Sequence, residues 1–325
     1  MTRRAFLVQL ALSAALVVLL NVAIARLAVN SVPRQLLRTI AASPPVSALF
    51  VGNSLVVAAI DSNAYEQAQT GTTRKGPTLN IGMGSSSPIE HDLLLRRALG
   101  LRPARVIYGF FDTQLTARIE NRWSDLFGNR AMVFYVDPSI GLRYIAPDSP
   151  WRAMAFRLLA RVPMFVERAS IWARVEKGRR RLRDFGIRPR QVSRFGQVGD
   201  FREIEPLDAT AFRQYCASVV AEQVPLVPPM IDMLEQARQA GADTLVVEMP
   251  QAARHRAQYY DTPEWAAYRE YVTAAVRRYG ASYLRASDWM ADEAFEDEIH
   301  LSPAGARAFS ARLATVPVDI QTPRR

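Results

Sequence analysis

Ser54, Asp297 and His300 are the residues whose types and spacing could do chemistry in this chain. A serine hydroxyl becomes a nucleophile when an imidazole takes its proton, and a carboxylate fixes which imidazole nitrogen is free to do so. Ser54 lies in Val51-Gly52-Asn53-Ser54, after a short apolar run and before the helix-compatible stretch Leu55 to Ala59. A serine on such a turn can present its Oγ at the edge of a sheet, beside backbone N–H groups at the helix start. The same position also suits a helix-capping serine. Histidine is scarce, 3 in 325 residues, so an imidazole base has to be His91, His255 or His300. His300 stands in Asp297-Glu298-Ile299-His300-Leu301-Ser302-Pro303, just before a helix signalled by Ser302 as cap and Pro303 at its first position. Asp297, three residues earlier, can turn back to accept the Nδ1 hydrogen and leave Nε2 for the serine. With Asp292, Glu293, Glu296 and Glu298 nearby, Asp-x-x-His also reads as a solvated acidic loop. His91 lies between Glu90 and Asp92, and His255 between Arg254 and Arg256, so both are expected at the surface. Three scattered histidines and the single Cys216 give no metal-ligand spacing, and no cofactor is implied.

These residues need elements to position them. Val46 to Val51, Thr78 to Ile81, Arg105 to Phe111, Thr244 to Met249 and Ala281 to Leu284 read as short strands. Between them, Ile89 to Leu99 and Pro229 to Ala240 have helical spacing. Thr262 to Tyr279 adds a cap at Thr262, Pro263 at the first position and Gly280 past the end. The alternation predicts an α/β domain with a mostly parallel sheet covered on both faces, and sites where strands end. Cys216 sits in a helix-like stretch, Ala211 to Glu222, and is expected to be buried; with one cysteine there is no disulfide. Between Thr116 and Leu207 the rhythm fails. Segments such as Trp151 to Arg161 and Phe165 to Phe185 read as a helical insertion over about 117–207. Its basic run, Lys177, Arg179, Arg180, Arg181 and Arg183, fits lipid headgroups, an anionic glycan or a solvated helix face.

Residues 1–30 read as a signal anchor. Ala5 to Ala25 carries no charge and is flanked by Arg3, Arg4 and Arg26. At about 1.5 Å per residue it spans roughly 31 Å, against a hydrocarbon core of about 30 Å. Ala23-Ile24-Ala25 resembles a signal-peptidase site, but the apolar stretch exceeds the roughly 7 to 15 residues usual for a cleaved signal. A linker over 31–45 then leads to a domain over 46–325. The basic flanks nearly balance and do not set orientation. The usual arrangement has the N-terminus in the cytoplasm and the body on the extracytoplasmic, periplasmic side. There the net charge of +10 is expected to meet anionic lipid or an acidic polymer, not nucleic acid.

Taken in chain order, these parts resemble the SGNH (GDSL-like) hydrolases, especially their membrane-anchored envelope branch. Gly52-Asn53-Ser54 matches the family's Gly-Asp-Ser with Asn for Asp. Asn80-Ile81-Gly82-Met83-Gly84-Ser85-Ser86 looks like the second block, whose glycine N–H serves the oxyanion; Gly84 is that glycine, with Gly82 the fallback. Gly109-Phe110-Phe111-Asp112 stands in the place of Gly-x-Asn-Asp, and Asp297 with His300 matches the closing Asp-x-x-His. The resemblance covers Val46 to Thr116 and Thr244 to Leu313. It implies a three-layer, flavodoxin-like fold and an acyl-serine intermediate, with Ser54, Asp297 and His300 catalytic and Ser54, Gly84 and Thr113 around the oxyanion. The activity implied is that of a serine esterase or O-acyltransferase on an envelope or exported polysaccharide. Phe111 departs from the pattern, because it replaces an asparagine donor; Thr113 or Gln114 must stand in, or the rate falls by on the order of 10² to 10³. An α/β-hydrolase would need Gly-x-Ser-x-Gly, and Val56 occupies the second glycine position. A catalytically silent scaffold that binds glycan or an envelope partner is the other alternative.

Overall fold

β-Branched and aromatic residues concentrate in five short runs, and each forms a strand of one sheet: β1 (Ala48–Gly52), β2 (Thr78–Asn80), β3 (Arg105–Phe110), β4 (Asp243–Glu248) and β5 (Ser282–Arg285). All fall within two residues of the expected bounds. The computed structural model describes residues 3–27, 32–69, 75–84, 86–116, 137–144, 149–168, 171, 175, 179 and 208–317. Ser85, and Lys177, Arg180, Arg181 and Arg183 of the basic run, lie outside the described residues, as does most of the expected insertion. The chain divides into two units, Met1–Ala41 with Asn121–Arg188, and Ala42–Glu120 with Pro189–Arg325.

The second unit holds the sheet. Its strands are all parallel in the order β2-β1-β3-β4-β5. Every residue of β1 and β3 is buried, which is why these strands read as continuous apolar runs instead of alternating ones. Connections from β1 run one way to β2 and later strands add the other way, so the order reverses between β1 and β3. A crevice forms at the carboxyl ends of strands at such a reversal.

Helices cover both faces, giving three layers. On one face α1 (Ser54–Ala59), α2 (Ser62–Ala68) and α8 (Pro303–Ala314) share a core with the sheet, in which Phe50, Ile107 and Val247 meet Leu55, Val56, Phe309 and Leu313. Phe309 and Leu313 are fully buried. At roughly 1.5–3 kcal/mol each, they fasten α8 far more firmly than helix propensity could. On the other face α3 (Pro88–Ala98) lies on β1 and packs against α5 (Pro228–Gln239), which lies on β4. The remaining helices are α4 (Ala209–Glu222), α6 (Ala253–Tyr259) and α7 (Pro263–Arg277), the last packed on β5 and α4. Thr262 caps α7 by accepting the Trp265 N–H. Cys216 on α4 is buried, and burial pushes its thiol up to about 12.

The first unit contains the helix Arg3–Leu27, long and apolar enough to cross a membrane over Arg3–Arg26, with Leu7, Leu10, Leu12, Leu16, Leu19 and Leu20 exposed along it. Asn21 satisfies its amide locally, donating to the Val17 carbonyl at 2.9 Å and accepting from the Met164 N–H at 3.0 Å. That second bond ties the short helix Pro163–Val166 to the end of the long one. Val32–Ala42, inside the stretch expected as a linker, is helical, and Arg34 there donates to the buried Glu167 at 2.5 Å. On the helix Pro150–Leu159, Trp151, Met154 and Leu158 form an exposed apolar stripe at i, i+3 and i+7 beside Arg152 and Arg157.

Candidate active site

The turn that presents Ser54 is built from a glycine pair and an asparagine. Gly52 and Gly109 are register partners on β1 and β3. A Cβ on Gly52 would meet the Gly109 carbonyl oxygen at 2.6 Å, and one on Gly109 would meet Met249 Sδ at 2.6 Å; either would also strike Val56. Gly52 has φ +154°, a conformation side chains disfavour. Val56 therefore lies flat across two bare strand ends and draws α1 onto the sheet. Asn53 is the N-cap, its Oδ1 accepting the Leu55 N–H at 3.0 Å and its carbonyl accepting those of Val56 and Val57. The capping role that the sequence left open for Ser54 thus belongs to Asn53. Ser54 is the first helical residue, and its Oγ lies 3.0 Å from His300 Nε2.

His300 comes from a loop braced at every turn. Phe295 bridges Leu301, Glu296 N–H donates to the His300 carbonyl, and Ser302 N–H donates to that of Ala294. Gly305 lets α8 start against Ala294, where a Cβ would collide with its carbonyl. Asp297 divides its two oxygens. Oδ1 accepts the N–H groups of Ile299 (2.9 Å) and His300 (2.6 Å), and Oδ2 pairs with His300 Nδ1 at 2.8 Å. Burial alone would raise this carboxyl, but the bonds from the His300 ring and the loop amides outweigh it and hold Asp297 below its usual range. An ionised Asp297 requires Nδ1–H, which leaves the Nε2 lone pair toward Ser54. Both side chains are largely removed from water, His300 at 1% and Asp297 at 7% exposure.

Two backbone N–H groups near this turn are unspent. Among the described residues neither the Ser54 nor the Gly84 N–H has a hydrogen-bond partner, and a Cβ on Gly84 would sit 3.9 Å from that of Ser54. Gly82, by contrast, already donates to Asn80 Oδ1 at 2.9 Å. Phe111 packs against the core and offers no polar group. Thr113 opens a 3-10 turn, Thr113–Leu115, and makes no hydrogen bond to Ser54 or His300 among the described residues. Gln114 Nε2 is buried and unpartnered there, as are both amide atoms of Gln251 and the Tyr260 hydroxyl, all past the carboxyl ends of β3 or β4. Asp112 caps the Thr113–Leu115 turn by accepting the Gln114 N–H at 2.8 Å, and burial pushes its carboxyl up to about 6.

His91 and His255 are not surface residues. His91 is wholly buried, with Nε2 2.7 Å from Ser86 Oγ and Nδ1 3.0 Å from the Tyr108 hydroxyl. Its acidic neighbours face internal partners, Glu90 the Ser87 cap and Asp92 the Arg96 and Gln236 side chains, so they do not mark a solvated helix. His255 is 13% exposed against Tyr259 and Tyr260, and burial lowers it below its ordinary value despite Glu298 and Asp297 nearby. Among the described residues no group of three or more His, Cys, Asp or Glu side chains could hold a metal ion. No protein-family model matches the chain, and no curated protein matches it.

Proposed function

We propose that this chain is a serine esterase or O-acyltransferase of the SGNH type, held at a membrane by the helix Arg3–Leu27. One observation carries the reading: a hydrogen-bonded line from Asp297 through His300 to Ser54, at 2.8 and 3.0 Å, placed where the strand order reverses. The strand order 2-1-3-4-5 supports a flavodoxin-like fold. His300 Nε2 takes the Ser54 proton as Oγ attacks an ester carbonyl, and the Ser54 and Gly84 N–H groups receive the oxyanion. The imidazolium then protonates the departing alcohol, leaving an acyl-serine. Water, deprotonated in turn by His300, completes hydrolysis; a sugar hydroxyl in its place completes transfer. For the missing third donor, the buried Gln114 Nε2, unpartnered among the described residues, is the better chemical candidate than Thr113.

The exposed stripe of Trp151, Met154 and Leu158 beside arginines supports attachment of the first unit to a bilayer. With the body on the extracytoplasmic side, the substrate is an O-acyl group of an envelope or exported polysaccharide. Phe111 favours a second reading, a silent scaffold that binds glycan or a partner, since it removes an oxyanion donor. The full chain in detergent, treated with a fluorophosphonate probe and with p-nitrophenyl acetate, divides the two. Esterase chemistry predicts labelling and turnover that Ser54→Ala and His300→Ala both abolish. Labelling that survives Ser54→Ala would sink the nucleophile assignment, and an inert parent would leave the scaffold.

A further inference from the structure

The second buried histidine belongs to a hydrogen-bond chain whose direction is fully determined. Ser86 Oγ lies 2.5 Å from the Met83 carbonyl oxygen, which can only accept, so the serine hydrogen points there. The contact between Ser86 Oγ and His91 Nε2, at 2.7 Å, must then be donated by the ring. A neutral ring protonated at Nε2 has a bare Nδ1, and the Tyr108 hydroxyl at 3.0 Å donates to it. Every hydrogen has one acceptor, in the order Tyr108, His91, Ser86, Met83. Burial favours this neutral form, holding the imidazolium down to about 3, and raises the Tyr108 phenol above its usual range.

The end of this chain is the peptide between Met83 and Gly84. That peptide is planar and trans, so its carbonyl and its N–H point opposite ways. Met83 N–H is separately fixed by the Gly52 carbonyl at 2.9 Å, one turn from the nucleophile. With the carbonyl held toward Ser86, the Gly84 N–H is turned away from Ser86, in a loop whose Gly84 lies beside Ser54. We propose that Tyr108, His91 and Ser86 are positioning residues that lock the Met83–Gly84 peptide with its N–H aimed at the acyl oxyanion on Ser54. This rests on the acyl-transfer reading for its consequence, but the hydrogen-bond chain itself can be tested without activity.

Two measurements on the full chain in detergent test it. The ring nitrogens of ¹⁵N-histidine-labelled protein, with the His91 signals assigned by His91→Gln, are expected to show Nε2–H at neutral pH. The ¹⁵N-glycine signal of Gly84, assigned by Gly84→Ala, is expected to shift in Ser86→Ala and to return in Ser86→Thr, which keeps the hydroxyl. A ring protonated at Nδ1, or a Gly84 amide indifferent to Ser86→Ala, overturns the chain whatever the activity. In p-nitrophenyl acetate turnover, Ser86→Ala is expected to lower kcat by about tenfold with KM unchanged, short of the 10² to 10³ or so for a donor lost outright. Ser86→Thr should restore it. A kcat unmoved by Ser86→Ala in an active parent overturns the catalytic role alone, and a parent that never acylates overturns the acyl-transfer reading, with the nitrogen signals still deciding the chain.

Discussion

Replacing Asp297 by asparagine should stop acylation while leaving the fold intact, and the geometry says why. One oxygen must remain where Oδ1 is, because the Ile299 and His300 N–H groups both donate to it. The new amide NH₂ is thereby forced into the Oδ2 position, 2.8 Å from His300 Nδ1. Two N–H donors cannot face each other, so Nδ1 gives up its hydrogen and the ring carries it on Nε2 instead. That nitrogen, 3.0 Å from Ser54 Oγ, can then donate but not accept. A tautomer reversed in this way costs roughly 10⁴ in kcat, or about 5.5 kcal/mol of barrier. Losing one charge-assisted bond costs about 1.5–3 kcal/mol of stability, inside the roughly 5–15 kcal/mol of a folded domain. Rates of fluorophosphonate labelling and of p-nitrophenyl acetate turnover, beside a thermal melt, check both halves. Asp297→Asn protein that melts as a folded domain yet labels within tenfold of the parent would refute the idea that this carboxylate sets the base.

Gln114→Leu is expected to lower kcat on p-nitrophenyl acetate by up to about 10²-fold, whereas Thr113→Val should change it less than twofold or so; the reverse ranking would return the third donor to Thr113. Asn53→Ala removes the cap of α1 and leaves the Leu55 N–H unpartnered, so urea unfolding should show a loss of about 1–2 kcal/mol. Asp112→Asn tests a partly buried carboxyl raised from an ordinary 3.8 to about 6. Because the folded state holds that proton more tightly than the unfolded chain, the parent loses stability as pH rises between about 4 and 6. At about 1.4 kcal/mol per pH unit, Asp112→Asn should be more stable to urea unfolding at pH 7.5, by up to about 3 kcal/mol, and the gain should vanish as pH falls below about 4. A gain that persists there would show that charge burial is not its cause.

The sheet was legible because parallel strands buried on both faces leave unbroken apolar runs bounded by Gly, Asn or Pro, as β1 and β3 do. The Ser54, Asp297 and His300 line was legible for a different reason: with three imidazoles in the chain, only one precedes a capped helix with an acid three residues before it. Capping at Asn53 was not, since asparagine and serine cap helices about equally well and only the backbone angles of the turn separate them. Nor was the burial of His91. Glu90 and Asp92 look like solvent markers in one dimension, but Asp92 finds Gln236 on α5 at 2.7 Å across 144 residues of sequence. Partners that distant leave no local signal; the Tyr108, His91 and Ser86 chain joins residues only 17 and 5 positions apart, but it forms only once His91 is turned into the interior, which the local sequence does not show.

Phe111 and the Ser54, His300 and Asp297 line pull in opposite functional directions, and their physical costs bear on the choice between the two proposed readings. A carboxylate and an imidazole at 7% and 1% exposure have given up their hydration. A buried polar pair is seldom a net source of stability, and apolar side chains of similar volume often serve a fold as well or better. A scaffold that only bound glycan would therefore gain nothing from holding His300 Nε2 against a hydroxyl that a neighbouring asparagine has already released from capping. Phe111 is cheap by contrast. It packs against the core formed by β1, β3, β4, α1 and α8, and the proposed oxyanion site keeps the Ser54 and Gly84 N–H groups, which have no other partner among the described residues. On this balance the proposed acyl-transfer site is expected to tolerate the phenylalanine at a reduced rate, and under that proposal the burden of orienting the oxyanion falls on the Gly84 peptide.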